Sequence, residues 1–381
     1  MSVHSSSVDS STPRLSVIVP VRPNSPELVR CLASLTASGL PRSDWELIVV
    51  TNTRDQDSWL VSALHADTVL RLPDGPWGAS YARNRGVEVS RAPHLLFVSA
   101  DVCVKSDALS GFLEVFDRET DVGAVCGTYV DDEPRSYNQL AAYQSLVHQF
   151  RCEFGAGFTD TFTPGFAAIR RELFLNAGMF DEWRVEVPHI ESAEFGRRLL
   201  TLGGQIVVRP HLRASHLKHW TLVRALGQSV RDPGIPWQQE LCIATERLIN
   251  PGLRMLRRID AAGMLCVWSA LGMGAFGVAG RNSHGGAVSI VLLLLALLTC
   301  LPACWFVARR RSIGFALLML PIHYAKLILA GIGVTYNWLV RHIVGEPRPA
   351  PAIEAFAEVG LTTWPPVPQR RPPREIRTQS A

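Results

Sequence analysis

The chain has 381 residues, 47% of them hydrophobic and 19% charged, and a formal net charge of +4. That length holds one large domain with an appendage, or two ordinary domains. The charge is small and forms no basic stripe interleaved with aromatics, so no nucleic-acid partner is expected. The eight cysteines form no CxxC pair, so they read as reduced thiols and not as a disulfide framework or a zinc site. Residues 1–14 are rich in Ser and Thr without an apolar run, so a disordered N-terminus with no secretory signal is expected, and with it a cytosolic soluble domain.

Leu15-Ser-Val-Ile-Val-Pro20 is a short β-branched run ending at a proline, the pattern of a buried parallel strand. A helix is expected from Pro26, with Leu28, Leu32 and Leu35 at helical spacing, then a strand over Trp45–Val50. Ser58–Ala66 suits a short helix, Thr68–Leu72 a strand, Gly78–Ser90 a helix, and His94–Val98 another buried strand. This alternation predicts a parallel sheet covered by helices, with ligands beyond the carboxyl ends of its strands. After Val104 the pattern is mixed. Helices are expected over Ala108–Phe116, Arg171–Ala177 and Glu191–Leu202, and strands over Gly123–Gly127, Phe166–Arg170 and Gln205–Arg209.

Three apolar segments follow: Gly263–Gly280, Ala287–Ala308 and Ile313–Val340. The middle one is long enough to cross a hydrocarbon core of ~30 Å. Arg254, Arg257 and Arg258 at one end and Arg309, Arg310 and Arg311 at the other fit a hairpin with both ends in the cytosol. The third segment carries His323, Tyr324 and Lys326, and a single crossing there would send the arginine-rich tail outside, so an interfacial or re-entrant placement is the alternative. The expected division is a catalytic domain over 15–230, interfacial linker helices over 231–260, a membrane region over 261–345 and a disordered tail over 346–381.

Asp101 follows directly on a buried strand, in Leu-Leu-Phe-Val-Ser-Ala-Asp101, which resembles the Asp-X-Asp site of family 2 glycosyltransferases. The resemblance extends from Leu15 to Trp237. Leu15–Pro20 looks like the family's opening strand, and Gly78-Ala-Ser-Tyr-Ala-Arg-Asn-Arg-Gly86 is similar to its Ala-Arg-Asn-x-Gly helix start. Ala167–Phe174 followed by Gly178-Met-Phe-Asp-Glu182 looks like the acceptor-side segment, and Glu191–Leu199 stands at the Glu-Asp motif. Ser215–Leu222 and Ile235-Pro-Trp237 fit members with a membrane-embedded tail.

The resemblance implies a GT-A fold, a Rossmann-like mixed sheet flanked by helices, followed by a C-terminal α-helical membrane region. It implies inverting transfer from a nucleotide-sugar donor to a lipid-linked or glycan acceptor, with Mg2+ or Mn2+ as cofactor. Position by position, it assigns Asp101 and His216 to the metal and diphosphate, and Pro20, Val21, Arg22, Asn52 and Arg83 to the donor. Gly165 and Trp237 fall on the acceptor side. Three positions depart from the pattern. Ser99 replaces the first acidic residue of the metal site, Thr51 replaces an aspartate near the base, and Ser192 replaces the aspartate that serves as general base. Glu191 and Glu194 lie one helical turn apart and are the nearest replacements for that base. These losses motivate the alternative of a non-catalytic nucleotide-sugar-binding or scaffold subunit. A nucleotidyltransferase would need a glycine-rich phosphate loop after the first strand, and Val21–Ser25 is not one.

Overall fold

A computed structural model describes residues 12–22, 25–51, 56–72, 78–130, 138–182, 190–217, 220–231, 250–280 and 283–344. Contacts divide the chain into residues 1–336 and a short unit, 337–381, of which the described part is helix up to Val344. The expected tail, 346–381, lies outside the described residues, as does most of the expected linker.

The first half follows the alternation in the sequence. β1 (Leu15–Val21), β2 (Trp45–Thr51), β3 (Thr68–Arg71) and β4 (His94–Val98) are parallel, in the order β3-β2-β1-β4. Every residue of β1 and β2 is buried, as strands covered on both faces require. α1 (Leu28–Thr36), α2 (Gln56–His65) and α3 (Ala79–Val89) supply the crossovers. α3 packs closely because of Gly86, where a Cβ would come within 2.5 Å of Ile18 Cγ2 on β1.

The second half turns the sheet mixed. It comprises β5 (Val102–Val104), α4 (Ala108–Arg118), β6 (Val122–Val130), α5 (Gln139–Phe154), β7 (Gly157–Phe158), β8 (Phe166–Arg170), α6 (Arg171–Asn176), α7 (Ile190–Thr201), β9 (Gln205–His216) and α8 (Leu222–Arg231). β8 runs antiparallel between β4 and β6, β6 and β9 are parallel, and β5 pairs antiparallel with β9. β9 continues to His216, past the expected end at Arg209. Pro210 falls in a gap of the register between Val208 and Arg213, where no ladder bond depends on its missing N–H.

The order β4-β8-β6-β9-β5 forces the sheet to curl. Four strand spacings on a flat sheet come to about 19 Å. The chain from Val98 to Val102 can span at most about 14 Å. Only a curled sheet lets β5 follow β4 directly and still pair with β9. Two apolar layers fill its faces, one under α1 and α4 and one under α3, α6 and α7. The second centres on Phe97, Phe162, Phe174, Phe180 and Phe195.

Three helices follow: α9 (Pro251–Ala279), α10 (Ser283–Arg310) and α11 (Ile313–Val344), each long and apolar enough over its described residues to cross a membrane. α10 has the highest mean hydropathy of the three, 2.6. α9 is one continuous helix starting at Pro251, with the Asn250 side chain accepting from the Gly252 N–H. Residues 251–260, expected in a linker, therefore belong to the first apolar helix. Ser289 donates to the Ala270 carbonyl, and Thr299 lies against Gly263, so α9 and α10 form an antiparallel hairpin.

α5 joins this helical region to the sheet. Arg151 pairs with Asp260 at 2.5 Å, Glu153 with Arg310 at 3.1 Å, and the Tyr143 hydroxyl lies 2.7 Å from His323 Nδ1. Lys326 Nζ donates to Gln144 Oε1 at 3.0 Å. Leu140, Tyr143 and Leu146 pack with Val307, Ala316 and Met319. After β7, Asp160 takes a two-point contact from Arg257, at 2.5 and 2.8 Å. Burial alone would raise the Asp160 pKa, but the hydrogen bonds and charge of Arg257 outweigh it and hold the carboxyl below its ordinary value.

A depressed pKa means that this pair contributes fully at neutral pH and loses its contribution as pH falls below about 4. Asp160→Asn should lower the stability of the detergent-solubilised protein at pH 7 by roughly 1–2 kcal/mol, a Tm fall of a few degrees. Between pH 5 and 3 the wild-type Tm should fall more steeply than that of the variant. Parallel slopes in differential scanning fluorimetry would remove the pair from the acid response.

Candidate active site

The curl brings five strand ends to one edge. β1 ends at Val21 and β4 at Val98; β8 begins there with Phe166; β6 ends at Val130 and β9 at His216. The turn Ser99–Asp101 crosses this edge from β4 to β5. The Ser99 N–H donates to the Gly165 carbonyl at 2.9 Å, and the Leu217 N–H donates to the Asp101 carbonyl at 2.6 Å. Val102 pairs with His216 in the ladder. Asp101 Oδ2 and His216 Nε2 stand 3.4 Å apart, with side chains 33% and 20% exposed. Both are fixed by backbone yet reachable from solvent.

Tyr129 on β6 lies beside them. Its ring stacks on His216 at 4.7 Å between centroids and 20° between planes. Its hydroxyl reaches the Gly165 backbone, where an added Cβ would overlap it and stand 3.4 Å from Ser99 Oγ. Burial, and then the Asp101 carboxylate, push the Tyr129 pKa upward, while Arg83 pulls it down. Arg83 therefore acts on the same spot from α3, where its side chain is buried and its guanidinium lies 5.7 Å from the Phe180 ring centroid.

Asn84, next along α3, is a clamp. Its Nδ2 donates to the Phe180 carbonyl at 2.8 Å and to Glu182 Oε1 at 2.9 Å, and its Oδ1 accepts from the Phe180 N–H at 3.1 Å. Arg85 pairs with Glu182 at 2.5 Å. The turn so held has positive φ at Gly178 (78°) and Met179 (60°). Ala-Arg-Asn and Gly-Met-Phe-Asp-Glu, two separate motifs in the sequence, are thus one hydrogen-bonded unit that orients Arg83.

Of the other sequence-predicted residues, Pro20 and Val21 are buried at the end of β1, Arg22 is exposed just beyond them, and Gly165 precedes β8. Asn52 and Trp237 lie outside the described residues, and so does the Glu191 side chain, although its backbone is in the first turn of α7. Glu194 is 8% exposed and bound at both oxygens by Arg198, at 2.5 and 2.9 Å. Ser192 is also 8% exposed, and its carbonyl accepts from the Phe162 N–H at 3.1 Å. Tyr129 and Asn84 were not singled out from the sequence. Asn84 stood inside a quoted motif; the only signal for Tyr129 was its place two residues after Gly127 at the end of an apolar strand.

Among the described residues no group of three His, Cys, Asp or Glu could hold a metal ion. Asp101 and His216 nonetheless fit a shared divalent cation. Adjacent ligands at about 2.1 Å from an octahedral ion stand about 3 Å apart, close to what is seen here, and such ions take their remaining oxygens from phosphates and water.

Residues 16–177 match the family described as Glycosyl transferase family 2. The chain carries a family 2 glycosyltransferase domain. The chain is 28% identical over 126 residues to Glycosyltransferase AglE of Haloferax volcanii, a match covering 32% of this chain and 38% of that relative's length. Among solved structures, the mannosyltransferase PcManGT of Pyrobaculum calidifontis, in complex with GDP-Man and Mn2+, aligns over 86% of this chain and 88% of its own at 16% identity, with a TM-score of 0.49. GalNAc-T7 with UDP, GalNAc and Mn2+ aligns over 56% and 46% at 14% identity, with a TM-score of 0.42.

Replacing Asn84 with Ala in the glycosyltransferase domain would strand the Phe180 N–H and carbonyl in a buried place. Each unsatisfied group costs about 1–3 kcal/mol. The variant should unfold several degrees below wild type in scanning fluorimetry, and Asn84→Asp should lose at least as much, because it sets a buried carboxylate oxygen against the Phe180 carbonyl and Glu182 Oε1. A wild-type Tm in Asn84→Ala would mean that the clamp does not matter to stability.

Proposed function

We propose that the chain transfers a sugar from a nucleotide-sugar donor to a membrane-associated acceptor, lipid-linked or glycan, with inversion at the anomeric carbon. The observation that carries this reading is the meeting of Asp101 and His216 at the strand-end edge of a family 2 glycosyltransferase domain. The diphosphate would lie against Asp101, His216 and the Arg83 guanidinium, and the nucleoside against Pro20, Val21, Arg22 and Asn52. A divalent cation, Mg2+ or Mn2+, held by Asp101 and His216 would supply positive charge to the departing diphosphate. The acceptor hydroxyl attacks the anomeric carbon, its proton passes to a carboxylate, and the bond to the diphosphate oxygen breaks. We assign the proton to Glu191. Both Glu194 oxygens are occupied by Arg198, which leaves neither turned to an acceptor hydroxyl.

Gly165 and Trp237 are assigned to the acceptor side. The apolar helices favour an acceptor that arrives from the lipid. Arg254, Arg257 and Arg258 near the start of α9 and Arg309 and Arg310 at the end of α10 lie at the same end of the hairpin, beside α5 and Asp160. Basic residues at that end favour a multi-pass protein with its glycosyltransferase domain in the cytoplasm.

One observation favours a second reading, a non-catalytic nucleotide-sugar-binding or scaffold subunit. Ser192, standing where the family carries its base, faces the interior. The two readings separate in one assay on the detergent-solubilised full chain, with a panel of nucleotide sugars, with and without Mn2+. Metal-dependent release of one nucleoside diphosphate, lost in Asp101→Ala and lowered at least ~100-fold in Glu191→Gln with donor binding retained, is expected. Donor binding without turnover on any acceptor would instead support the scaffold. No donor binding would overturn both.

A further inference from the structure

We propose that Tyr129 is a positioning residue for the metal and diphosphate site: its ring fixes the plane of the His216 imidazole so that Nε2 faces Asp101. The inference rests on the reading of Asp101 and His216 as that site. Tyr129 pairs with Ala214 in the β6–β9 ladder, and His216 lies two residues further along β9. Side chains two apart on a strand share a face, so Tyr129, Ala214 and His216 project together. Ala214 is fully buried and has nothing beyond Cβ, which leaves the space in which the two rings stack.

The other contacts hold the Tyr129 ring from two further sides. His148 on α5 lies at 4.9 Å from it, tilted by 35°. His148 is itself held by Cys152, one helical turn on, whose Sγ is 3.4 Å from His148 Nε2. At its far end the Tyr129 hydroxyl meets the Gly165 backbone beside Ser99. His216, by contrast, is the last residue of its strand and one-fifth exposed, and free of the stack its imidazole would turn about χ1 and χ2. Ordering a ligand in advance lowers the cost of binding, and an aromatic pair supplies enough to order one ring.

The test uses the full chain in detergent and reads Mn2+ affinity by the electron paramagnetic resonance signal of free Mn2+, with UDP or GDP present, alongside Tm. Tyr129→Phe keeps the ring and should bind Mn2+ within about twofold of wild type. Tyr129→Leu should bind about fivefold to tenfold more weakly. Ala214→Val leaves Tyr129 untouched but wedges the rings apart, and should weaken binding similarly, so the inference stays testable if Tyr129→Leu fails to fold. On a His216→Ala background Tyr129→Leu should add nothing, because its effect runs through His216. Wild-type affinity in both Tyr129→Leu and Ala214→Val, or full additivity with His216→Ala, would overturn the role of Tyr129. Wild-type affinity in Asp101→Ala and His216→Ala would overturn the underlying site reading, whatever Tyr129 does.

Discussion

The turn Ser99–Asp101 is the constraint on which the rest of the site depends. Three residues join β4 to β5, although three other strands lie between them in the sheet. The chain is too short to bridge a flat sheet, so the sheet closes on itself and its strand ends converge. Asp101 is carried over the edge as part of that bridge, and β5 lands on β9 where His216 is last in line. The carboxylate and the imidazole meet because of chain length and strand order, with no direct need for either side chain to attract the other. Ser99 can replace an acidic residue in such a turn without loosening it, since what holds the turn is backbone: the Ser99 N–H on Gly165 and the Asp101 carbonyl on Leu217.

Much of this was legible in the sequence, and the legible parts share a cause. β1, β2 and β4 are almost wholly buried, so each is written around a short apolar run, Val17–Val19, Leu47–Val50 and Leu95–Val98. The hairpin of α9 and α10 is legible for the same reason, through length and composition. α5 left no such trace. Its buried residues are mixed with His148, Gln149 and Tyr143, because its partners are themselves polar: Tyr129 on one side, and His323, Lys326 and Asp260 on the other. A helix whose surroundings are partly polar carries no clean apolar stripe. Likewise the end of β9 was hidden by Pro210, which in most strands would mark a stop and here falls where the register skips.

At the candidate site, residues that stand in a motif were conspicuous in the sequence and residues brought in by topology were not. Asp101, Arg83 and His216 stand in recognisable strings. Tyr129 matters because Ala214 on a strand far along the chain is small, and that is a relation between two positions that neither reveals alone. Asn84 sat inside a motif, yet its task could be seen only once the Gly178–Glu182 turn was in place against it. The altered positions at Ser99 and Ser192 differ in the same way. Ser99 borders the site, whereas Ser192 is packed against the segment around Phe162, and a sequence string does not distinguish the two.

The two faces of α5 also set an order in time. One face supports Tyr129 through His148, while the other is held by Asp260, Arg310, His323 and Lys326, between 109 and 182 residues later in the chain. A ribosome delivers α5 long before those partners exist, and contacts this distant form last. Until the late helices are made and paired, α5 lacks its outer support, and so does the ring behind His216. The support behind the candidate site is therefore complete only after the C-terminal helices have paired with α5.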